Sequence, residues 1–150
     1  SKLVGEAEPA HQPPPITTQI LLLHYLIKAD GIPLADRWVA FREFADGLMY
    51  DSAFQRRSGD RIAARFGRDK ERFIQAARAL GGIRLTYGDA SFMFRLLPRL
   101  PVAVILHQAD DEFPAAANVL FDATAEHYLD IEDLAVLGGM VASRLIKASG

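Results

Sequence analysis

The chain has 150 residues, of which half are hydrophobic and 24% are charged, a composition typical of one globular domain with a single core. Its formal net charge of −2 provides no general attraction to nucleic acid or to an anionic membrane. The absence of cysteine excludes disulfides, thiolate nucleophiles and metal or iron–sulfur centres held by thiolates of this chain, and is compatible with the reducing cytoplasm that we expect as its location.

The N-terminal part combines a proline-rich stretch with an apolar segment. Residues 1–15 hold four prolines, and we interpret them as a flexible leader that precedes a single domain over 16–150. Thr17 or Thr18 can cap a helix that is predicted to run through about Ala29. Because residues 20–27 are almost all apolar and leave no polar face, we expect this helix to lie in the middle of the core. The apolar run is too short to span a membrane.

Two further helices are predicted before residue 83. Residues 52–55 have the spacing of a capping box, which predicts a helix through about Phe66 that Gly67 ends. Asp69 can cap the next helix, and the glycine pair 81–82 closes it.

The second half of the chain predicts a sheet and a final helix. Three extended runs separated by short turns occur at residues 83–87, 91–97 and 102–107. Short turns force neighbouring strands to be antiparallel, so these runs predict a β-meander. Residues 38–41 and 118–122 predict additional short strands, and Asp130 caps the last helix. We therefore expect an α+β domain, an antiparallel meander packed against about four helices.

The end of the third run carries the first group of candidate site residues. Residues 102–106 are typical of a buried strand, and such a strand fixes the direction of the groups at its end. Those groups are His107, Asp110, Asp111 and Glu112. Adjacent carboxylates repel one another and suit Mg²⁺ or Ca²⁺ ligation, but no calcium-loop spacing is present and we assign no metal. We expect instead that Phe113 anchors the loop against the core, with one carboxylate buried.

The histidines provide a second group of candidates. A carboxylate near His127 would raise its pKa and make it a general acid or base, which suggests a catalytic set of Asp111, Glu112 and His127. His24 lies in the apolar helix, where we expect it to be buried and hydrogen-bonded to a carbonyl or an acid. No pair of histidines has the i, i+4 spacing of a helical metal site.

A basic stripe forms the third group. Arg57, Arg61 and Arg65 recur at helical spacing, together with Arg68. Such a face can bind a phosphate or a carboxylate, since arginine holds these groups with a planar fork. The alternative is that the arginines pair with the acidic segment 108–133 of the same fold. We favour this alternative, because charges on exposed helices usually serve only solubility. That segment has eight acidic residues and no Lys or Arg.

The glycine pair Gly138–Gly139 lies inside the final predicted helix, where each glycine costs about 1 kcal/mol relative to alanine. Close approach of another element across Gly138 would explain it, and a ligand that contacts bare backbone is the alternative. Trp38 and the aromatic residues at 41, 44 and 54 are expected to belong to the core.

Several stretches together resemble the uncharacterised bacterial domain-of-unknown-function family 3786. They are ILLLHYLIKADGIP at 20–33, WVAFREFADGLMY at 38–50, FGRDKERFIQAARALGG at 66–82 and the run from Asp89 to Leu145. Members occur largely in anaerobic bacteria, and some carry an iron–sulfur module, so the resemblance implies a redox or one-carbon partner protein. It implies no established activity or cofactor. It also implies an aromatic residue at position 107, where this chain has histidine.

Three functions remain open from the sequence. The first is an accessory or small-ligand binding domain without catalysis, in which Arg57, Arg61, Arg65, His107 and Asp110 bind an anion or a cofactor. The second is an acid–base or metal-assisted enzyme that uses the acidic loop with His127. The third is a protein-interaction module or homodimer formed through oppositely charged faces.

Overall fold

A computed structural model describes residues 14–28 and 34–150 of the chain. Residues 1–13 of the predicted leader and the predicted turn at 30–33 lie outside the described residues. The helices are α1 Ile16–Lys28, α2 Gly47–Arg57, α3 Gly59–Phe66, α4 Lys70–Ala79 and α5 Ile131–Ala148. The strands are β1 Trp38–Ala40, β2 Ile83–Leu85, β3 Ala90–Leu97, β4 Leu100–His107 and β5 Ala116–Asp122. Short 3-10 segments cover Phe41–Glu43 and Ala125–His127.

The five strands form one antiparallel sheet in the order β1-β5-β4-β3-β2. Strand β4 is central, and its Val104 lies opposite Phe92 of β3 and Val119 of β5. All of β4 except His107 is buried, as expected for a strand with neighbours on both sides. The predicted α+β class, the meander and the interior position of residues 102–106 are therefore confirmed.

The helices stack in successive layers. Helices α3 and α4 pack on the sheet, α5 contacts α2, α3 and α4, and α1 in turn contacts α5. At the centre the Phe54 ring of α2 stacks on Phe41, with ring centroids 4.2 Å apart and an interplanar angle of 3°. Both rings are fully buried, as is Phe121 of β5 beside them. This aromatic group links the sheet to α2 and, through it, to α5.

The prediction of one helix over residues 52–66 is wrong. Helix α2 begins at Gly47, and Ser52 lies inside it with its hydroxyl accepting from the guanidinium of Arg56. The helix breaks at Ser58, whose buried hydroxyl donates to the carbonyl of Phe54 at 2.7 Å. Helix α3 then begins at Gly59, where an added Cβ would lie 2.3 Å from the carbonyl oxygen of Ala117. The break lets α3 approach the backbone of β5.

The boundaries of α4 agree with the prediction. The Asp69 side chain accepts a hydrogen bond from the amide of Arg72 at 3.1 Å, and thereby caps the helix. Gly81 has φ +78° just beyond the C-terminus, a left-handed conformation that glycine adopts without steric cost.

The expectation that the apolar helix lies in the middle of the core is wrong. In α1 the buried residues are Leu21 and Tyr25, while the other large apolar side chains of the helix are exposed. The reason is the layer order, because α1 is the outermost helix and packs against α5. The central position belongs to α5, whose buried residues include Leu134, Leu137 and Leu145.

The glycine pair of α5 gives a matched test of the packing. An added Cβ at Gly138 would lie 2.4 Å from Cε1 of Phe54, and that ring is held by Phe41 and cannot move freely. We expect Gly138→Ala to lower the free energy of unfolding by about 1–3 kcal/mol, because the clash exceeds the gain in helix propensity.

Gly139→Ala is the control, since an added Cβ there meets the nearest atom, the carbonyl oxygen of Arg57, at an ordinary 3.7 Å. We expect it to raise stability by about 0.5–1 kcal/mol. Urea denaturation measures the free energy of unfolding of both variants. Equal changes in the two variants would contradict the proposed clash.

Candidate functional site

One cavity in the described part of the chain is an open groove of about 820 Å³. It is lined by α5, by α2 and the start of α3, and by residues at the beginning of α1. The groove lies beside the contact of Phe54 with Gly138, which fixes the spacing of α2 and α5. We call this cavity the α2–α5 groove.

Most of the groove surface is apolar. One stripe of α5 lines it at Ile131, Ala135, Val136 and Met140, which the helical repeat places on one side of the helix. Tyr50, Ala53 and Phe54 of α2 also line it. The sequence analysis missed these residues, because the same periodicity is expected of side chains that pack in a core.

The groove also carries three arginines, Arg57, Arg61 and Arg144. The guanidinium of Arg61 donates to the carbonyl of Gly139 at 3.4 Å and to the hydroxyl of Ser143 at 3.0 Å, and is thereby held against α5. Among residues 14–28 and 34–150, the side chains of Arg57 and Arg144 make no hydrogen bond or ion pair. Two positive charges in the groove thus remain available to a ligand.

The other arginines of the predicted stripe lie elsewhere. Arg65 donates through Nε to the hydroxyl of Ser149 at 3.0 Å. Arg65 and Arg68 border a second depression of about 310 Å³, which Ala109 and Pro114 also line. The structure therefore divides the stripe, with Arg57 and Arg61 in the α2–α5 groove and Arg65 outside it.

The acidic segment pairs with α1 and not with the stripe. Nδ1 of His24 lies 2.7 Å from Oδ2 of Asp133, and Nζ of Lys28 lies 2.5 Å from Oδ1 of Asp130. His24 therefore has the acidic partner that we expected, but its side chain is 49% exposed, so the expectation that it is buried is wrong.

The acidic loop is exposed, and amides of its own backbone donate hydrogen bonds to one of its carboxylates. Oδ1 of Asp110 accepts from the amides of Glu112 at 2.8 Å and of Phe113 at 2.7 Å. Phe113 is 66% exposed, so the expectation that it anchors the loop against the core is wrong. Within the described ranges no three His, Asp or Glu side chains are grouped closely enough to hold a metal ion.

The remaining candidates lie at opposite ends of β5. His107 is exposed at the end of β4 and pairs with Ala116, the first residue of β5, next to the acidic loop. His127 follows the other end of β5 and is the last residue of the 3-10 segment Ala125–His127. Seven residues of strand span about 20 Å. The structure therefore does not bring Asp111 and Glu112 together with His127.

A buried carboxylate that the sequence analysis did not single out is Asp122, at the end of β5. It accepts hydrogen bonds from the amides of Ala35, Asp36 and Thr124 and from the Thr124 hydroxyl. Burial raises the pKa of Asp122, but the bonds from Thr124, Ala35 and Asp36 outweigh it and hold that pKa below the ordinary 3.8. The carboxylate fastens the segment before β1 to the sheet.

The comparisons with known proteins identify a family but no activity. A family model described as “Domain of unknown function (DUF3786)” matches residues 2–144. The chain therefore belongs to that family, as the sequence resemblance indicated. No curated protein and no solved structure matches the chain. In the part of the chain that the structure describes, no helix is long and apolar enough to cross a membrane.

Asp122 generates a test by pH. We expect Asp122→Asn to lower the free energy of unfolding at pH 7 by about 1–3 kcal/mol, because an amide cannot accept from all these donors. A lowered folded-state pKa means that the carboxylate stabilises the fold above pH 3.8 and loses this effect as the pH falls further.

The difference in the free energy of unfolding between wild type and Asp122→Asn should therefore become smaller as the pH falls below 3.8. Urea denaturation over a pH series measures it, with the exposed Asp111→Asn as control. A difference that widens on acidification would contradict the assignment.

Proposed function

We propose that this DUF3786 domain binds a small amphipathic anion in the α2–α5 groove and has no catalysis of its own. The observation that carries the proposal is the combination of an apolar stripe and unpaired arginines along one open cavity. The following contacts support each part of it.

The arginines suit a carboxylate or phosphate group. A guanidinium offers several donors in one plane, and a hydrogen bond between two charged groups is stronger than one between neutral groups. The contacts of Arg61 with Gly139 and Ser143 hold its guanidinium in place before a ligand arrives. Such a fixed donor loses little conformational entropy on binding.

The apolar stripe suits a ligand with a hydrocarbon or aromatic body. A cavity of about 820 Å³ is within the range of about 300–1,000 Å³ found for small-molecule sites. A bare phosphate ion would leave Val136 and Met140 uncovered. An acyl chain or an aryl ring would cover them and add hydrophobic binding energy.

Glu132 helps to define the orientation of the ligand. It lines the groove in the first turn of α5, while Arg144 lines it near the end of the same helix. At 1.5 Å per residue, their positions are about 18 Å apart along the helix axis. A negative headgroup is attracted by Arg144 and repelled by Glu132, so the apolar body should point toward Glu132.

Binding is favoured over the acid–base alternative because of where the candidates lie. General acid–base catalysis needs its groups within reach of one reacting atom, and β5 separates His127 from the acidic loop. The redox or one-carbon partner implied by the family resemblance stays a prediction.

The role of the arginines can be tested with decanoate as probe. We expect Arg57→Gln to weaken decanoate binding at least about tenfold, because the loss of a charge-assisted hydrogen bond costs about 1.5–3 kcal/mol. Isothermal titration calorimetry measures the dissociation constant. Arg78→Gln, at an exposed position of α4 outside the groove, should bind as wild type does. Equal affinity of all three proteins for decanoate would contradict the proposal.

The role of the apolar stripe can be tested by changing the probe. We expect decanoate to bind at least about 50-fold more tightly than butanoate, since each buried methylene contributes about 0.8 kcal/mol. Decanol has the same chain but no charge, so it should bind to wild type about tenfold more weakly than decanoate does. Its affinity should be the same for wild type and for Arg57→Gln. If butanoate binds as well as decanoate, the stripe does not hold the ligand body.

A further inference from the structure

We propose that α1 pairs with α1 of a second copy of this chain, through the apolar side chains that it exposes. This proposal does not depend on a ligand in the α2–α5 groove. It rests on the exposure, the charge and the spacing of the residues of α1.

The exposed side chains form a continuous seam. Ile16 is 67% exposed, Ile20 47%, Leu23 56% and Ile27 73%. Their spacing of four, three and four residues places them in one line, on the side of the helix opposite the buried Leu21 and Tyr25. Leu26 flanks the line and is 72% exposed.

The seam carries no charge, which limits what can cover it. The two basic residues of α1 are His24 and Lys28, which bind Asp133 of α5 and its N-cap residue Asp130, respectively. A charged peptide would find no partner on this face. A membrane-surface helix normally carries lysines or arginines beside its apolar face, and α1 has none beyond Lys28, which is paired with Asp130. An apolar protein surface is the occupant that the seam fits.

The residue types favour a second copy of the same helix. With Ile20 and Ile27 at the a positions of a heptad, Leu23 and Ile16 take the d positions. Isoleucine at both a positions with leucine at the central d position, Leu23, is the combination that favours pairing of two helices. Such a seam is complementary to itself, as a two-fold interface requires. The net charge of only −2 produces little repulsion between copies.

The apolar surface of α1 is about the smallest that a specific dimer needs. The first turn of α2 exposes Leu48 and Met49, each 75%, and Tyr50, 44%. Tyr50 lines the same groove as Thr17 and Thr18 of α1, so it lies near the first turn of that helix. At roughly 100 Å² per aliphatic side chain, the four seam residues and Leu26 of two copies would bury about 1,000 Å², the lower bound of a specific interface. We therefore expect a dimer with micromolar affinity.

Sedimentation equilibrium of the whole chain tests the proposal with matched variants. We expect wild type to dimerise at tens of micromolar protein and to remain dimeric in high salt, since burial of apolar area is not screened. Leu23→Glu, at the centre of the seam, should weaken dimerisation at least tenfold. Ile83→Glu introduces the same charge at an isoleucine of β2 that is 55% exposed, and should dimerise as wild type does. Circular dichroism melting verifies that each variant is folded.

Three results would overturn the proposal. The first is a wild-type monomer at every concentration, including one that instead cosediments with phosphatidylcholine or phosphatidylglycerol vesicles. The second is a dimer that high salt dissociates, because it would indicate the oppositely charged faces as the interface. The third is a dimer that Leu23→Glu leaves intact, which would place the contact on another surface.

Discussion

The close contact between α5 and the stacked rings of Phe54 and Phe41 is the constraint on which the helical half of the molecule depends. It exists because Gly138 has no side chain, so that Cε1 of Phe54 occupies the space of a Cβ atom. The contact sets the distance between α2 and α5. It also brings Arg61 within reach of Gly139 and Ser143. The α2–α5 groove is the space that remains beside this contact.

Helix α5 also separates the charged groups of the domain. The acidic residues near its start, Asp130 and Asp133, hold α1 through Lys28 and His24. Ser143 in its second half and the C-cap residue Ser149 bind arginines of α3. The apolar stripe between these two polar regions is covered by neither partner. A single helix thus provides the attachment for α1, the floor of the groove and the neighbour of its arginines.

Part of the candidate site could be predicted from residue spacing. The helical repeat indicated that Arg57, Arg61 and Arg65 lie on one face, and two of the three line the groove. Spacing did not predict the break at Ser58 or the apolar lining, because these depend on how close β5 and α5 approach. The same limit explains Asp122, since a carboxylate at a strand end gives no sign of which amides will surround it.

The sequence by itself determined the family, the α+β class, the meander and the interior position of β4, because strand periodicity and short turns are local properties. It also predicted the close approach of another element at Gly138, with a ligand on bare backbone as the alternative. The tertiary structure alone decided that α1 is the outermost helix, that α5 is central and that β5 separates His127 from the acidic loop. The physical reason is that an apolar pattern specifies which side chains favour burial, but the order in which the helices stack decides which of those side chains are buried.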